Sequence, residues 1–140
     1  MATRGTFPPL ETALAAAAAA GPTEGDKLRA ALDAYGVPSF PAGGVSDGGV
    51  TYVLVAVDQT RDEDAAHTGP RLHIAFGEDA NRPAADHDEP WTVHLYTAGG
   101  DWEAALFTAP GGLDVDEESA ITAWFLVRWL RDNAHRYPRP

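Results

Sequence analysis

Apolar and polar residues alternate with the two-residue period of a β-strand along much of the second half of the chain. Residues 50–57 (VTYVLVAV) are almost all apolar, which is typical of a strand that is covered on both faces. Residues 71–76 alternate strictly, and residues 91–98 and 101–108 continue the strand pattern. The pattern predicts about four strands in an antiparallel meander and leaves their order in the sheet open.

Gly99 and Gly100 stand between the last two predicted strands, and two such residues are typical of a tight hairpin loop. With this loop, Val93 is opposite Leu106, and every second residue of the hairpin shares one face. The apolar face is predicted to consist of Trp91, Val93, Leu95, Trp102, Ala104 and Leu106. The other face is predicted to consist of Thr92, His94, Tyr96, Glu103, Ala105 and Phe107.

Helical patterns precede and follow these strands. Residues 10–20 are alanine-rich, and residues 24–35 repeat apolar positions at intervals of three and four. Thr23 and Asp26 form a capping-box pattern at the start of the second helix. The Pro/Gly-rich stretch that follows, residues 37–49, is predicted to be a loop.

The last helix is predicted to begin after Asp114, a typical N-cap residue that precedes three further acids. Negative charge at this end is favoured by the helix dipole. Residues 120–130 are apolar almost all round the helix, which indicates either deep burial or contact with a second surface.

These elements together predict an α+β fold. The C-terminal helix packs on one face of an antiparallel meander of about four strands, and the N-terminal helices lie alongside. A length of 140 residues fits a single domain, predicted to span residues 9–137. Residues 1–8 lack periodicity and are predicted to be disordered.

Composition narrows the classes of function. Without cysteine, the chain has neither disulfides nor thiolate chemistry. A net charge of -11 argues against binding nucleic acid or an anionic membrane, and no apolar run reaches the roughly 20 residues needed to span a bilayer. Lys27 is the only lysine among ten basic residues, and this bias is typical of a high-GC bacterial genome. We therefore predict a cytoplasmic bacterial protein without a cofactor.

His73, His94 and Glu103 are the candidates for chemistry, because the strand pattern places them on the polar face of the sheet with Arg71 and Tyr96. Two imidazoles and a carboxylate can bind zinc or transfer protons. The alternative is an ordinary solvent-facing sheet. The chain has no G-x-S-x-G, P-loop, dinucleotide-binding or H-E-x-x-H motif, so the sequence leans away from an enzyme.

Acidic residues are predicted to gather at one end of the meander, where the loop of residues 77–89 meets the start of the last helix. The acids predicted to contact a partner there are Asp86, Asp88, Glu89, Asp116, Glu117 and Glu118. Helix capping and solvation, a basic protein partner, and a hard cation such as Ca²⁺ or Mg²⁺ are all consistent with such a cluster.

The last helix contains three aromatic residues close together, Trp124, Phe125 and Trp129. Phe125 and Trp129 are four residues apart and share a helix face, whereas Trp124 points away from Trp129. Burial in the core accounts for most such residues, and an interface accounts for the others. Trp124 and Trp129 are therefore candidates for contact with a partner or with a second copy of the chain.

The segments LRAALDAYGV and TAPGGLDVDEESAITAWFLVRWL flank the predicted strands. This layout resembles that of small uncharacterised actinobacterial proteins built from a helix, a β-meander and a final helix, and the resemblance covers residues 27–133. It implies the fold and a bacterial origin but no activity. A looser similarity of size, charge and α+β build relates the chain to small acidic immunity proteins and secretion chaperones.

The leading hypothesis is a non-enzymatic interaction module that binds a basic protein, as an immunity-type or accessory regulatory protein. One alternative is a small metal-dependent enzyme or ligand binder that uses the polar sheet face. Another is a nucleic-acid mimic, which needs acids in rows along a surface. The predicted acids instead gather at one end of the meander, with a second group in residues 58–64 at the opposite end.

Overall fold

The computed structural model of this chain describes residues 9–43, 51–75 and 90–140. The elements are α1 (Leu10–Ala18), α2 (Glu24–Ala34), β1 (Phe40–Gly43), β2 (Thr51–Ala56), α3 (Glu63–Ala66), β3 (Arg71–Ala75), β4 (Thr92–Tyr96), β5 (Trp102–Thr108), α4 (Val115–Asn133) and a short 3-10 helix (Ala134–Arg136). Across these three stretches, no helix is long and apolar enough to cross a membrane. The segment predicted to be disordered, residues 1–8, lies outside the described residues.

The five strands form one antiparallel sheet in sequence order, β1-β2-β3-β4-β5. This confirms the predicted α+β meander with its C-terminal helix. The strand count differs by one, because β1 lies in the stretch predicted to be a loop. Phe40 of β1 pairs with Leu54 of β2. Pro41 lacks an N–H to donate and fits only an edge strand, so the local sequence carries no strand signal there.

The inner face of the sheet forms the core together with α1, α2 and α4. Buried side chains from three adjacent strands line this face: Val53, Val55, Leu72, Ile74, Val93 and Leu95. Trp91, just before β4, is also fully buried. Its indole Nε1 donates a hydrogen bond to Ser119 Oγ at 3.2 Å, which joins α4 to the sheet.

The outer face is covered at its β1–β2 end by the short helix α3. Leu54, Ala56 and Ala66 form a small second core there, and Phe40 and Tyr52 pack against it. Since Val53 and Val55 are buried on the inner face, β2 is covered on both sides. This arrangement agrees with the apolar composition of residues 50–57.

Capping boxes begin α2 and α4, the two helices whose N-cap residues the sequence predicted. In α2, the Asp26 N–H donates to Thr23 Oγ1 at 3.1 Å, and the Thr23 N–H donates to Asp26 Oδ2 at 3.3 Å. In α4, Asp114 and Glu117 exchange the same pair of hydrogen bonds. Both predicted helix starts are confirmed, because capping is a local interaction within four residues.

The loop of the β4–β5 hairpin differs from the prediction. The Thr97 N–H donates to the Asp101 carbonyl, and the Gly100 N–H donates to the Thr97 carbonyl, both at 2.9 Å. The loop therefore contains three residues, 98–100, and Gly100 adopts a left-handed φ of 89°. This geometry is typical of a three-residue loop that ends in a glycine bulge.

The register of β5 agrees with the prediction in the middle of the hairpin, where Leu95 pairs with Ala104, and differs at both ends. Val93 pairs with Phe107 rather than with Leu106, and irregularities interrupt the ladder at two places. Phe107 therefore packs toward the helices, whereas Trp102 pairs with Tyr96. Trp102, assigned to the apolar face from the sequence, is 57% exposed. A bulge reverses the alternation of faces, and strand periodicity alone does not reveal it.

Candidate binding surfaces

The acids at the start of α4 serve the fold itself. Asp116 forms an ion pair with Lys27, with Oδ1 2.7 Å from Nζ, and Glu117 completes the helix cap. Glu118 is only 3% exposed, and its carboxylate accepts a hydrogen bond from the Trp91 backbone N–H. The prediction that Glu118 contacts a partner is therefore corrected, because the side chain faces the core. Among these three acids, Glu117 alone is exposed.

The remaining predicted acidic contacts, Asp86, Asp88 and Glu89, lie outside the described residues.

The uncovered part of the outer sheet face carries a stack of three aromatic rings. The His73 imidazole lies between two tyrosine rings, with centroids 4.1 Å from Tyr52 and 4.0 Å from Tyr96. His73 Nε2 is buried and has no hydrogen-bond partner among the described residues. Burial lowers the pKa of His73 to about 4, with smaller contributions from Arg71, His67 and His94. The ring is therefore neutral at pH 7.

His94 lies directly opposite His73 in the sheet, a pairing that the sequence analysis left open. Its Nδ1 accepts a hydrogen bond from Trp102 Nε1 at 3.0 Å, so the lone pair of that nitrogen is already engaged. Glu103 is exposed and occupies an irregularity of β5 without a pairing partner on β4. The β5 register thus places Trp102 beside His94, where the sequence predicted a carboxylate on the same face.

The three predicted ligands therefore do not form a common site. In the three described stretches of chain, no group of three His, Asp or Glu side chains is arranged to hold a metal ion. The neutral His73 and the engaged His94 can offer stacking surface and hydrogen bonding.

A groove runs along the exposed side of α4 and has a volume of about 370 Å³. It is lined by Trp124, Phe125, Arg128, Trp129, Asp132 and Asn133. Phe125 stacks on Phe107 of β5 at 4.4 Å, and Trp129 stacks on Tyr137 at 5.8 Å. These two contacts tie the floor of the groove to the body of the protein.

Trp124 is the most open aromatic side chain of this groove, at 38% exposure. The Arg128 guanidinium lies 4.4 Å from its ring centroid, in a cation–π contact. Asp132 lies one turn further on and pairs with Arg131. The helix thus presents an indole beside charges of both signs. The sequence signal for this division is the four-residue spacing of Phe125 and Trp129, a pattern that does not include Trp124.

Comparison of the chain with known protein families, with curated proteins and with solved structures gives no match. The layout resemblance to actinobacterial helix–meander–helix proteins therefore stays a prediction. Function has to be inferred from the surfaces described above.

Proposed function

We propose that this protein is a non-enzymatic binding module and that it contacts a protein partner through the α4 groove. The observation that carries the proposal is Trp124, a large indole left 38% exposed in a concave surface beside Arg128. Tryptophan and arginine in such settings are the residues that most often dominate binding energy at protein interfaces. The stacked Phe125 and Trp129 hold the groove in shape, so a partner meets a preformed surface.

The net charge of -11 supports a basic partner. A strongly negative molecule attracts a basic protein over long range and speeds encounter, while buried aromatic contacts supply most of the affinity. Asp116 and Glu118 are already engaged within the fold, so we assign attraction to the overall charge rather than to these side chains. An immunity-type or accessory regulatory role in a bacterial cytoplasm is part of this proposal.

Affinity capture with matched tryptophan variants tests the proposal. Wild type, Trp124→Ala and Trp102→Ala are each immobilised and exposed to native lysate at low and high salt. Trp102 is the matched control, because it is also an exposed indole but lies on the opposite face of the sheet. We expect one partner that is retained by Trp102→Ala, lost by Trp124→Ala and weakened by salt. Equal capture by both variants would overturn the proposal.

Self-association is a second candidate role for the same groove. Arg128 and Asp132 supply opposite charges along one helix face, and a two-fold contact can place each against its complement in a second copy. Sedimentation equilibrium of wild type and Trp124→Ala distinguishes self-association from contact with a different protein. A concentration-dependent dimer that Trp124→Ala abolishes would support self-association. A monomer at all concentrations would support contact of the groove with a different protein.

The other two hypotheses draw less support from the described residues. A metal-dependent enzyme on the sheet face needs converging ligands, and His73, His94 and Glu103 do not converge. A nucleic-acid mimic needs rows of free acids. Asp58 pairs with Arg139, Asp116 pairs with Lys27, and Glu118 is buried.

A further inference from the structure

A second concave surface lies at the opposite edge of the sheet from the α4 groove. It is a cleft of about 360 Å³ between α2, the segment that leads into β1, and the loop before α3. Its polar lining consists of Arg29, Asp33, Ser39 and Arg61, and Pro38 and Phe40 supply apolar wall. Phe40 belongs to β1, whereas the α4 groove reaches β5 through Phe125. The two surfaces are therefore separate.

Both arginines of this cleft lack an acidic partner within the described part of the chain. Arg29 is held by Ser39, since its Nε donates to Oγ and its Nη2 donates to the carbonyl, both at 3.3 Å. These bonds orient the guanidinium. Its Nη1 makes no hydrogen bond to another described residue. Arg61 is exposed and makes no ion pair or hydrogen bond to another described residue. Neither guanidinium forms an ion pair with a described acid, although Asp33 lines the same cleft and the chain has 21 acids against ten basic residues.

The charges of the lining indicate the class of ligand. Two guanidinium groups and the Asp33 carboxylate sum to a net charge of +1, which one carboxylate group neutralises. A planar guanidinium binds a carboxylate through two parallel hydrogen bonds. The volume is that of a small-molecule site, and Pro38 and Phe40 can contact an apolar body. We propose that this cleft binds a small organic acid that carries a single carboxylate.

An NMR titration of the full chain tests this proposal with benzoate as the probe. Benzamide has the same ring without the charge, and inorganic phosphate carries charge without the ring. We expect saturable shifts from benzoate in the amides of α2, residues 37–40 and Arg61, and weaker or no binding of the other two. In the variant Arg61→Gln, benzoate affinity should fall by about tenfold, the cost of one charge-assisted hydrogen bond.

The matched control is Arg136→Gln, which makes the same change of charge at an exposed arginine that bonds only to Asn133 among the described residues. Benzoate affinity should stay at the wild-type value in this variant. An equal loss of benzoate affinity in both variants would show that the overall charge alone determines binding, and it would overturn the proposal. So would binding of benzamide as tight as benzoate, tighter binding of phosphate, or no saturable shift with benzoate. Because the cleft and the α4 groove are separate, none of these outcomes bears on partner capture through Trp124.

Discussion

His73 illustrates how one side chain acquires its properties from its neighbours. A histidine on a solvent-facing strand keeps its ordinary pKa near 6.5 and is available for acid–base work. Here Tyr52 and Tyr96 cover both faces of the imidazole, and Nε2 is buried without a hydrogen-bond partner in the described part of the chain. Desolvation disfavours the charged ring, so its pKa falls to about 4. The residue predicted as a catalytic candidate is thus a neutral component of an aromatic stack.

This pKa shift makes stability depend on pH in a defined direction. The unfolded chain takes up a proton at His73 near pH 6.5 and the folded protein only near pH 4, so stability is complete above 6.5 and is lost as the pH falls through this window. We expect the free energy of unfolding of wild type, relative to His73→Phe, to fall by at most about 1.4 kcal/mol per pH unit.

Urea unfolding of wild type and His73→Phe between pH 4 and pH 6.5 measures this difference in the free energy of unfolding. Carboxylates that titrate in both proteins contribute almost equally, so their contributions largely cancel. A His73 pKa near 6.5 in a proton NMR titration would contradict the expectation.

At the scale of elements, the β4–β5 hairpin decides which side chains reach each face of the sheet. Gly100 closes its loop with a φ of 89°, and an added Cβ there would lie 3.3 Å from an Arg71 nitrogen. Gly99 has no left-handed φ, and an added Cβ would meet its nearest atoms at ordinary contact distances. The three-residue loop depends on the left-handed residue.

A pair of alanine substitutions tests this account of the loop. We expect Gly100→Ala to lower the free energy of unfolding by about 1–2 kcal/mol, because a residue with a side chain is strained in the left-handed region. Gly99→Ala should change it by less than about 0.5 kcal/mol. Thermal or urea unfolding of both variants gives the comparison. Equal effects would show that the loop does not require the left-handed conformation at Gly100.

At the scale of the whole molecule, Lys27 joins three helices. Its ammonium group on α2 donates to the Ala17 carbonyl of α1 at 3.0 Å and lies 2.7 Å from Asp116 Oδ1 of α4. Its side chain is only 13% exposed. The single lysine of the chain therefore fixes how the helical layer is assembled over the sheet.

A double-mutant cycle measures this connection. We expect Lys27→Met to lower the free energy of unfolding by about 1–3 kcal/mol, since it leaves a partly buried carboxylate and a carbonyl without their donor. Asp116→Asn and the double variant should show a coupling of about 1 kcal/mol between the two residues. Arg131→Met, which removes the exposed ion pair with Asp132, should have a smaller effect than Lys27→Met. A coupling indistinguishable from zero would show that the ion pair between Lys27 and Asp116 does not stabilise the fold.

The sequence by itself determined the features that depend on near neighbours in the chain. An apolar run located β2 and alternation located β3, β4 and β5. Alanine content located α1, helical spacing located α2, and Thr23 and Asp114 marked the starts of α2 and α4. It also placed Trp124 on a different helix face from Phe125 and Trp129. These interactions span at most a few residues, so a local pattern is sufficient to define them.

Only the tertiary structure decided the features that depend on distant neighbours. β1 exists because β2 supplies its hydrogen-bond partners, and Glu118 is buried because Trp91 lies beside it. The bulged register of β5 moved Trp102 next to His94, and Arg29 and Arg61 share a cleft although they are far apart in the sequence. Pairing, burial and desolvation arise only when separate segments meet, so these features could not be read from each residue's own surroundings in the chain.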